Sequence, residues 1–357
     1  MNHLELFSGI GGFRRALDLL QQDGVMDFQC IGFSEIDEKA LRTYKANYPI
    51  HPNEVELGDI VVFTGNQQNI VRLPEFDLLT GGFPCQPFSM MGKKAGFEED
   101  RGQMFFRIMD IVRIKNPQYI LLENVKNLFS HDHGNTYSKI KEELEGEGYT
   151  VISDVFNTAD FHLPQTRNRV IIFATKGHLS DKKQKAFTAE CVKNYFETRY
   201  QTASVPRYSC TLDVLQKKVA SKYYLSERIK PTILADGSAN FRSNSEIDLR
   251  IARPLTATMH KMHRACQDNY FSQVFIDSRG EYNPAKHSTK EELAKLSIRK
   301  LTPEEAFMLQ GFPREFAERA RLAGVSDGAL YKQAGNAVSV NTIYAIILYL
   351  IENHYIK

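Results

Sequence analysis

The sequence predicts an α/β fold: a mostly parallel sheet covered by helices, with a second, smaller domain set into it. Three observations carry this. Short apolar runs alternate with stretches of helical spacing over the first 175 residues, the pattern of a parallel sheet with crossover helices. The alternation fades over residues 176–299, where polar and basic residues take over, and returns from 300 onward. A chain of 357 residues is too long for one small module and long enough for two domains.

The elements follow in order. Leu4-Glu5-Leu6-Phe7 is a short strand, broken by Ser8-Gly9-Ile10-Gly11-Gly12, and the helix after it carries Phe13, Ala16, Leu17 and Leu20 on one face. Phe28 to Phe33 reads as a second strand, leading to acidic Glu35, and a third is expected to end near Asp59. Phe76 to Thr80 is an apolar run ending in Gly81-Gly82. Met104 to Lys115 has helical spacing, Tyr119-Ile120-Leu121-Leu122 reads as a buried strand ending at Glu123, and Tyr137 to Glu147 as a charged amphipathic helix. Val151 to Phe156 and Val170 to Ala174 are further strands. Thr302-Pro303-Glu304-Glu305 starts a helix, with Thr302 as cap, Pro303 in the first helical position and Glu305 closing a capping box. Ser339 to Glu352 is an apolar helix at the end of the chain. Residues 1–175 and 300–357 are therefore assigned to one domain and 176–299 to the other.

Composition narrows the class. Apolar residues make up 42% and charged residues 25%, which is ordinary globular usage. No 18-residue apolar run occurs and the first residues lack a signal-peptide pattern, so a cytoplasmic protein outside the membrane is expected. The five cysteines, Cys30, Cys85, Cys191, Cys210 and Cys266, never form a Cys-x-x-Cys pair, which argues for a reducing compartment and against a zinc site. His131-Asp132-His133 and His260-x-x-His263 have no cysteine partners, and no metal is expected. Net charge is only +2, yet residues 176–300 hold 23 Lys/Arg against 13 Asp/Glu while the remainder holds 22 against 30. A basic middle within an acidic frame suggests a segment facing a polyanion.

Candidate site residues gather where strands end. Gly9-x-Gly11-Gly12 follows a strand and opens a helix, so backbone can approach a ligand closely. Glu35, at the end of the next strand, can accept both hydroxyls of a ribose, and Asp59 can accept from an exocyclic amine. Three such features in succession point to a nucleoside-bearing cofactor, because open α/β sheets bind ligands at those ends. Gly82-Phe83-Pro84-Cys85-Gln86-Pro87 sets a cysteine between two prolines, which stiffen the backbone and fix the thiol, a candidate nucleophile. Glu123 ends the adjacent strand and can donate a proton. Gln165, Arg167 and Arg169 alternate, so in extended backbone they form one polar, cationic face.

Taken together these motifs resemble the DNA cytosine-5 methyltransferase family of bacterial restriction-modification type. The resemblance rests on Leu6-Phe7-Ser8-Gly9-Ile10-Gly11-Gly12-Phe13, Gly82-Phe83-Pro84-Cys85-Gln86-Pro87-Phe88-Ser89, Glu123-Asn124-Val125, Gln165-x-Arg167-x-Arg169, Gln310-Gly311-Phe312-Pro313 and Gly335-Asn336-Ala337-Val338, in family order. It implies a Rossmann-like methyltransferase sheet and S-adenosyl-L-methionine as methyl donor, with S-adenosyl-L-homocysteine as product and no metal. Phe7, Gly9, Gly11, Gly12, Glu35, Ile36, Asp59, Ile60, Gly82, Met104, Asn336 and Val338 would hold the cofactor. Cys85 would attack cytosine C6, Glu123 would bond or protonate ring N3, Arg169 would bind O2, Pro84 would accept from the 4-amino group, and Arg167 would assist the thiolate through its charge. The C-terminal helix would pack back beside the first strand, bringing residues near 336 to the cofactor.

The resemblance also assigns the middle segment to reading double-stranded DNA. Thr256, Lys261, His263, Arg264 and Asn269 are the expected contacts there, with Ser89, Lys93 and Lys94 on a glycine-hinged loop over residues 89–102. Relatives often carry Thr-Leu where this chain has Pro254-Leu255. A monomer is expected, with a restriction endonuclease acting on the same site without direct contact. The rival expectations are a tRNA cytosine-5 methyltransferase, a catalytically silent binding homologue, and a nicotinamide oxidoreductase, the last lacking its glycine spacing.

Overall fold

The computed structural model describes residues 1–84, 104–238, 241–242 and 245–357. Seven strands form the central sheet: β1 (Asn2–Leu6), β2 (Gln29–Phe33), β3 (Val55–Glu56), β4 (Leu78–Gly82), β5 (Tyr119–Val125), β6 (Thr150–Asn157) and β7 (Asn168–Thr175), in the order β3-β2-β1-β4-β5-β7-β6. β1 to β5 pair in parallel, whereas β7 runs antiparallel to both β5 and β6. The mostly parallel sheet expected from the alternation is present, with one reversed strand. Between β6 and β7 there is room for only a short connection, too short for a parallel crossover.

Both faces of the sheet are buried. In β5, Tyr119 and Leu121 pack into one core while Ile120 and Leu122 pack into the other; in β7, Ile171 and Phe173 oppose Val170 and Ile172 in the same way. The period-two alternation of apolar residues on both sides is why these strands read as continuous apolar runs. One face is covered by α1 (Gly12–Gln22), α2 (Glu38–Asn47) and the helix Val340–Glu352, the other by the helices Met104–Lys115 and Asn135–Gly146. The apolar helix Val340–Glu352 packs against α1 rather than beside β1 itself.

Strand order reverses between β1 and β4. Chain leaves β1 toward β2 and β3, then returns to lay β4 on the other side of β1. Loops after β1 and β4 therefore diverge, and their carboxyl ends open a crevice, the usual ligand position in such sheets. Phe7, Gly9 and Ile10 line this crevice from one strand and Gly82 to Pro84 from the other.

The middle stretch divides by packing. Helices Asp181–Ala186 and Ala189–Arg199 lie on the main body, where Phe187, Val192 and Phe196 join the core that holds Ile343 and Ile347. A separate small core, with Leu225, Ile233, Leu234, Ile247, Tyr270, Leu293 and Ile298, lies farther along. Chain re-enters the main body through the strand Ile298–Lys300 and the helix Pro303–Met308. The capping box at Thr302 and Glu305 forms as the sequence predicts.

Candidate active site

The glycine-rich turn after β1 is built by close approach. Phe7, Gly9 and Gly11 all have positive φ, of 52°, 55° and 81°. A Cβ on Gly11 would lie 2.4 Å from the Tyr48 ring, and one on Gly12 would lie 2.4 Å from Val338 Cγ2, so neither position admits a side chain. Tyr48 donates its hydroxyl to the Gly11 carbonyl and fixes the turn from behind. Glu35 holds it from the front: its Oε2 accepts from Gly9 N at 2.8 Å, while Oε1 accepts from Ile36 N at 2.9 Å and Asp37 N at 2.7 Å. Ile36 beside it is 72% exposed, an apolar side chain left open at the crevice rim.

A cleft of about 490 Å³ runs from this turn to the ends of β4 and β5. It brings together Phe7, Gly9, Glu35, Ile36, Gly82, Pro84, Glu123, Arg167, Arg169 and Asn336 of the residues expected from sequence. The helix Asp327–Asn336 forms its far wall, tied to α2 by Lys332 on Asp37 at 2.6 Å and by Thr43 on Gln333 at 2.9 Å. Asp59 is not among the residues that line this cleft. It is an exposed N-cap of the helix Ile60–Thr64, its Oδ1 accepting from Val61 N at 2.8 Å, three residues beyond the end of β3. Ile60 is buried in the core on that side, Met104 is half-buried at the start of its helix, and Val338 is buried against Gly12.

Register between β4 and β5 sets Gly82 directly opposite Glu123. Gly82 leaves space at Glu123: a Cβ there would sit 3.5 Å from Glu123 Oε2. The other oxygen, Oε1, accepts from Arg169 Nε at 2.8 Å. Asn124 is buried and donates to the Phe83 carbonyl at 2.9 Å, anchoring the chain just before Pro84. That role was not assigned from sequence, although an amide inside an apolar strand, next to a candidate acid, is the signal that could have found it. Pro84 is exposed at the cleft. Cys85, Ser89, Lys93 and Lys94 lie outside the described residues.

Gln165 and Arg167 do not share an exposed face with Arg169. β7 begins only at Asn168, and both side chains turn into the interior, Gln165 0% and Arg167 2% exposed. Gln165 accepts from Leu255 N at 2.8 Å and donates to the Leu309 carbonyl at 3.0 Å. Arg167 donates to the carbonyls of Leu255 (3.1 Å), Gly335 (3.0 Å) and Ala337 (2.9 Å). Burial, with Arg169 beside it, pushes the Arg167 guanidinium down to about 9, so it stays charged at neutral pH.

In the middle segment the expected reading residues separate into two groups. Lys261 and His263 are exposed, with Met262 between them 63% exposed. Asn269 is 6% exposed and clamps Arg253, accepting from its N–H at 2.8 Å and donating to its carbonyl at 3.1 Å. Arg264 pairs with Asp268 at 3.2 Å and donates to Thr256 Oγ1.

The sequence model of the C-5 cytosine-specific DNA methylases matches residues 1–352. The chain belongs to this family. Among curated methylases it is 34% identical over 349 residues to the type II methyltransferase M1.ScrFI of Lactococcus lactis subsp. cremoris, covering 98% of this chain and 77% of that one. It is 33% identical over 344 residues to the type II methyltransferase M.NlaX of Neisseria lactamica, covering 96% and 94%. In fold it is similar to the S. pombe Dnmt2 methyltransferase, with a TM-score of 0.72, 20% identity and full coverage of both chains.

Methylases of this family depend on S-adenosyl-methionine, and the cleft suits it. Glu35 offers a carboxylate to ribose hydroxyls, Phe7 and Ile36 offer apolar surface to a base, and the glycine turn lets backbone approach without side chains in the way. The chain is thus a DNA cytosine-5 methyltransferase by family, and Glu35, Gly82, Glu123 and Arg169 line one continuous cleft.

Proposed function

We propose that this methylase modifies a cytosine flipped out of duplex DNA, within a short specific site, as the modification half of a type II restriction-modification pair. The single observation that carries the reading is the Glu123–Arg169 pair, 2.8 Å apart, in the same cleft as Glu35 and Pro84. An acid paired with a cation supports roles at a ring nitrogen and a ring carbonyl. Relatives at 33–34% identity are named type II methyltransferases, which supports the restriction-modification setting and a DNA substrate over a tRNA one.

Cytosine C5 is a weak nucleophile until another group adds to C6. The Cys85 thiolate supplies that addition; a free thiol near pKa 8.5 is only a few per cent ionised at neutrality, so positioning of the base against the thiol has to do much of the work. Glu123 bonds or protonates N3 as the thiolate attacks, so negative charge does not build on the ring. Arg169 binds O2, and the Pro84 carbonyl accepts from the 4-amino group. When bound, S-adenosyl-methionine supplies an electrophilic methyl group, held by Glu35 at the ribose and by Phe7, Ile36 and Asn336 along the cleft. Loss of the C5 proton to a water molecule then lets the Cys85 sulfur leave as thiolate, and N3 returns its proton to Glu123, restoring the aromatic ring. The base has to leave the stack for this, at a cost of a few kcal/mol.

The basic middle segment carries the duplex, and its exposed tip, Lys261 and His263, reads base edges. The enzyme works as a monomer in the cytoplasm, and an endonuclease reading the same site needs no contact with it. The test replaces the target cytosine by 5-fluorocytosine in duplex DNA. Fluorine at C5 cannot leave as a proton, so elimination stops and a covalent protein–DNA adduct accumulates. Wild type is expected to give an adduct that survives denaturing electrophoresis, and Cys85→Ser none. Absence of adduct in both, with methylation intact, contradicts the covalent route.

A further inference from the structure

Arg167 and Gln165 grip the middle segment by its backbone. Leu255 gives its N–H to Gln165 Oε1 at 2.8 Å and its carbonyl to Arg167 Nη1 at 3.1 Å. Nearby, Ala252 N donates to the Pro164 carbonyl at 2.7 Å and Thr166 N to the Ala252 carbonyl at 2.9 Å, so a single parallel β-bridge joins Gln165 and Ala252. The same guanidinium reaches across to the Gly335 and Ala337 carbonyls, which flank Asn336 of the cofactor cleft.

Gly335 closes the contact from the other side. A Cβ on it would lie 2.3 Å from the Thr256 carbonyl carbon and 2.3 Å from Ala257 N. Gly335 lies in the helix Asp327–Asn336, where alanine is unstrained, so the glycine is required by this contact and not by its own conformation. Thr256 in turn accepts from Arg264, next to the exposed tip at Lys261 and His263. A continuous set of contacts therefore joins the tip to the loop that lines the cleft, with Arg167 at its centre.

We infer that Arg167 is a positioning residue that locks the base-reading loop onto the cofactor loop, and that it does not act as a charge on the nucleophile. The inference rests on the proposed methyl transfer to DNA. All three of its hydrogen bonds go to main-chain carbonyls, one on the reading side and two on the cofactor side. Lysine keeps the charge but has no planar fork to reach three carbonyls at once. A misplacement of about 1 Å at a reacting centre costs on the order of 100-fold in rate.

The experiment compares wild type with Arg167→Lys, Arg167→Met and Gly335→Ala, all at matched concentrations of folded protein. Four quantities are read: kcat/KM on the duplex that wild type methylates, the same on a duplex with one base pair of the site changed, the Kd for S-adenosyl-homocysteine, and the pH dependence of Cys85 alkylation by iodoacetamide, followed on its peptide by mass spectrometry. Both Arg167 variants are expected to lose on the order of 100-fold in kcat/KM, to discriminate less between the two duplexes, and to bind S-adenosyl-homocysteine more weakly, with the alkylation profile unmoved. Gly335→Ala is expected to lower discrimination and cofactor affinity in the same direction, and it decides the matter should Arg167→Met fail to fold. Simple loss of stability moves neither the discrimination ratio nor the cofactor Kd of the folded fraction. An alkylation profile displaced upward in Arg167→Met but not in Arg167→Lys overturns the inference in favour of charge. So do wild-type discrimination and cofactor affinity in every folded variant. Should wild type methylate no DNA at all, the functional reading fails, while cofactor affinity and the alkylation profile still judge Arg167.

Discussion

Replacing Glu305 by alanine tests how the middle segment is fastened to the body. Glu305 and Arg299 form a two-pronged ion pair, Nη1 to Oε2 and Nη2 to Oε1 both at 2.8 Å, with both side chains 0% exposed. Glu305 also accepts from Thr302 N at 2.8 Å and from Gln216 N at 2.7 Å, so one carboxylate joins the returning strand, the helix cap and a loop of the middle segment. Alanine leaves a buried arginine without its counter-charge, which costs about 3–5 kcal/mol, and removes half of a capping box worth about 1 kcal/mol more. Against a typical stability of about 5–15 kcal/mol this is a large share. Urea unfolding followed by circular dichroism measures it. The double variant Arg299→Met/Glu305→Leu leaves no unpaired charge and is expected to recover at least about 2 kcal/mol, though two backbone N–H groups still lose their acceptor. A single variant within about 1 kcal/mol of wild type, or a double variant no better than the single, would refute the reasoning.

Three further outcomes are expected. Glu35→Ala weakens binding of S-adenosyl-homocysteine roughly 10- to 100-fold, the scale of one hydrogen bond to a charged acceptor, without changing the methylated sequence; calorimetry and bisulfite sequencing check the two halves. Lys261→Ala or His263→Ala relaxes or weakens recognition while stability holds, whereas Asn269→Ala lowers stability by about 1–3 kcal/mol and weakens all duplexes alike, because its amide holds the Arg253 backbone. Buried on β1, Glu5 is raised to about 8 and His3 is lowered to about 3, both through burial. Glu5 contributes stability that is full below the unfolded carboxyl value and is lost as pH rises toward 8; His3 contributes stability present above about 6.5 and lost as pH falls toward 3. The two slopes cancel between about 4.5 and 6.5, so this pair adds no net slope there, and the stability it contributes falls as pH rises from 6.5 toward 8. Glu5→Gln is expected to abolish the fall above 6.5, and a slope that persists in that variant contradicts the assignment.

Local pattern carried the strands, the glycine turn, the Thr302 cap and the grouping of Glu35, Gly82, Glu123 and Arg169, because each depends on short-range alternation or on a motif at a strand end. Long-range packing decided what the pattern missed. The i, i+2 spacing of Gln165, Arg167 and Arg169 suggested one face, but regular strand begins only at Asn168, and the first two side chains are claimed by carbonyls from Leu255, Leu309, Gly335 and Ala337. No local rule reveals partners so distant in sequence. Asn269 looked suited to base edges, as any exposed amide would, and burial against Arg253 is invisible in the chain. Asp59 is the opposite case: Gly58-Asp59-Ile60 before Val61 fits a helix cap as well as a strand end, and short β3 leaves the cap. Reversal of β7 was not read from the sequence: only the observed strand ends, Asn157 and Asn168, show a link too brief for a crossover.

The central claim is that Cys85 and Glu123 carry methyl transfer to cytosine C5 in DNA. The most direct measurement incubates the purified protein with labelled S-adenosyl-methionine and either duplex DNA or tRNA, then locates the product by bisulfite sequencing. Label is expected in duplex DNA as 5-methylcytosine at one short sequence, with none from Cys85→Ser and none in tRNA. Methylation confined to tRNA, or undiminished label in DNA from Cys85→Ser, would contradict the account.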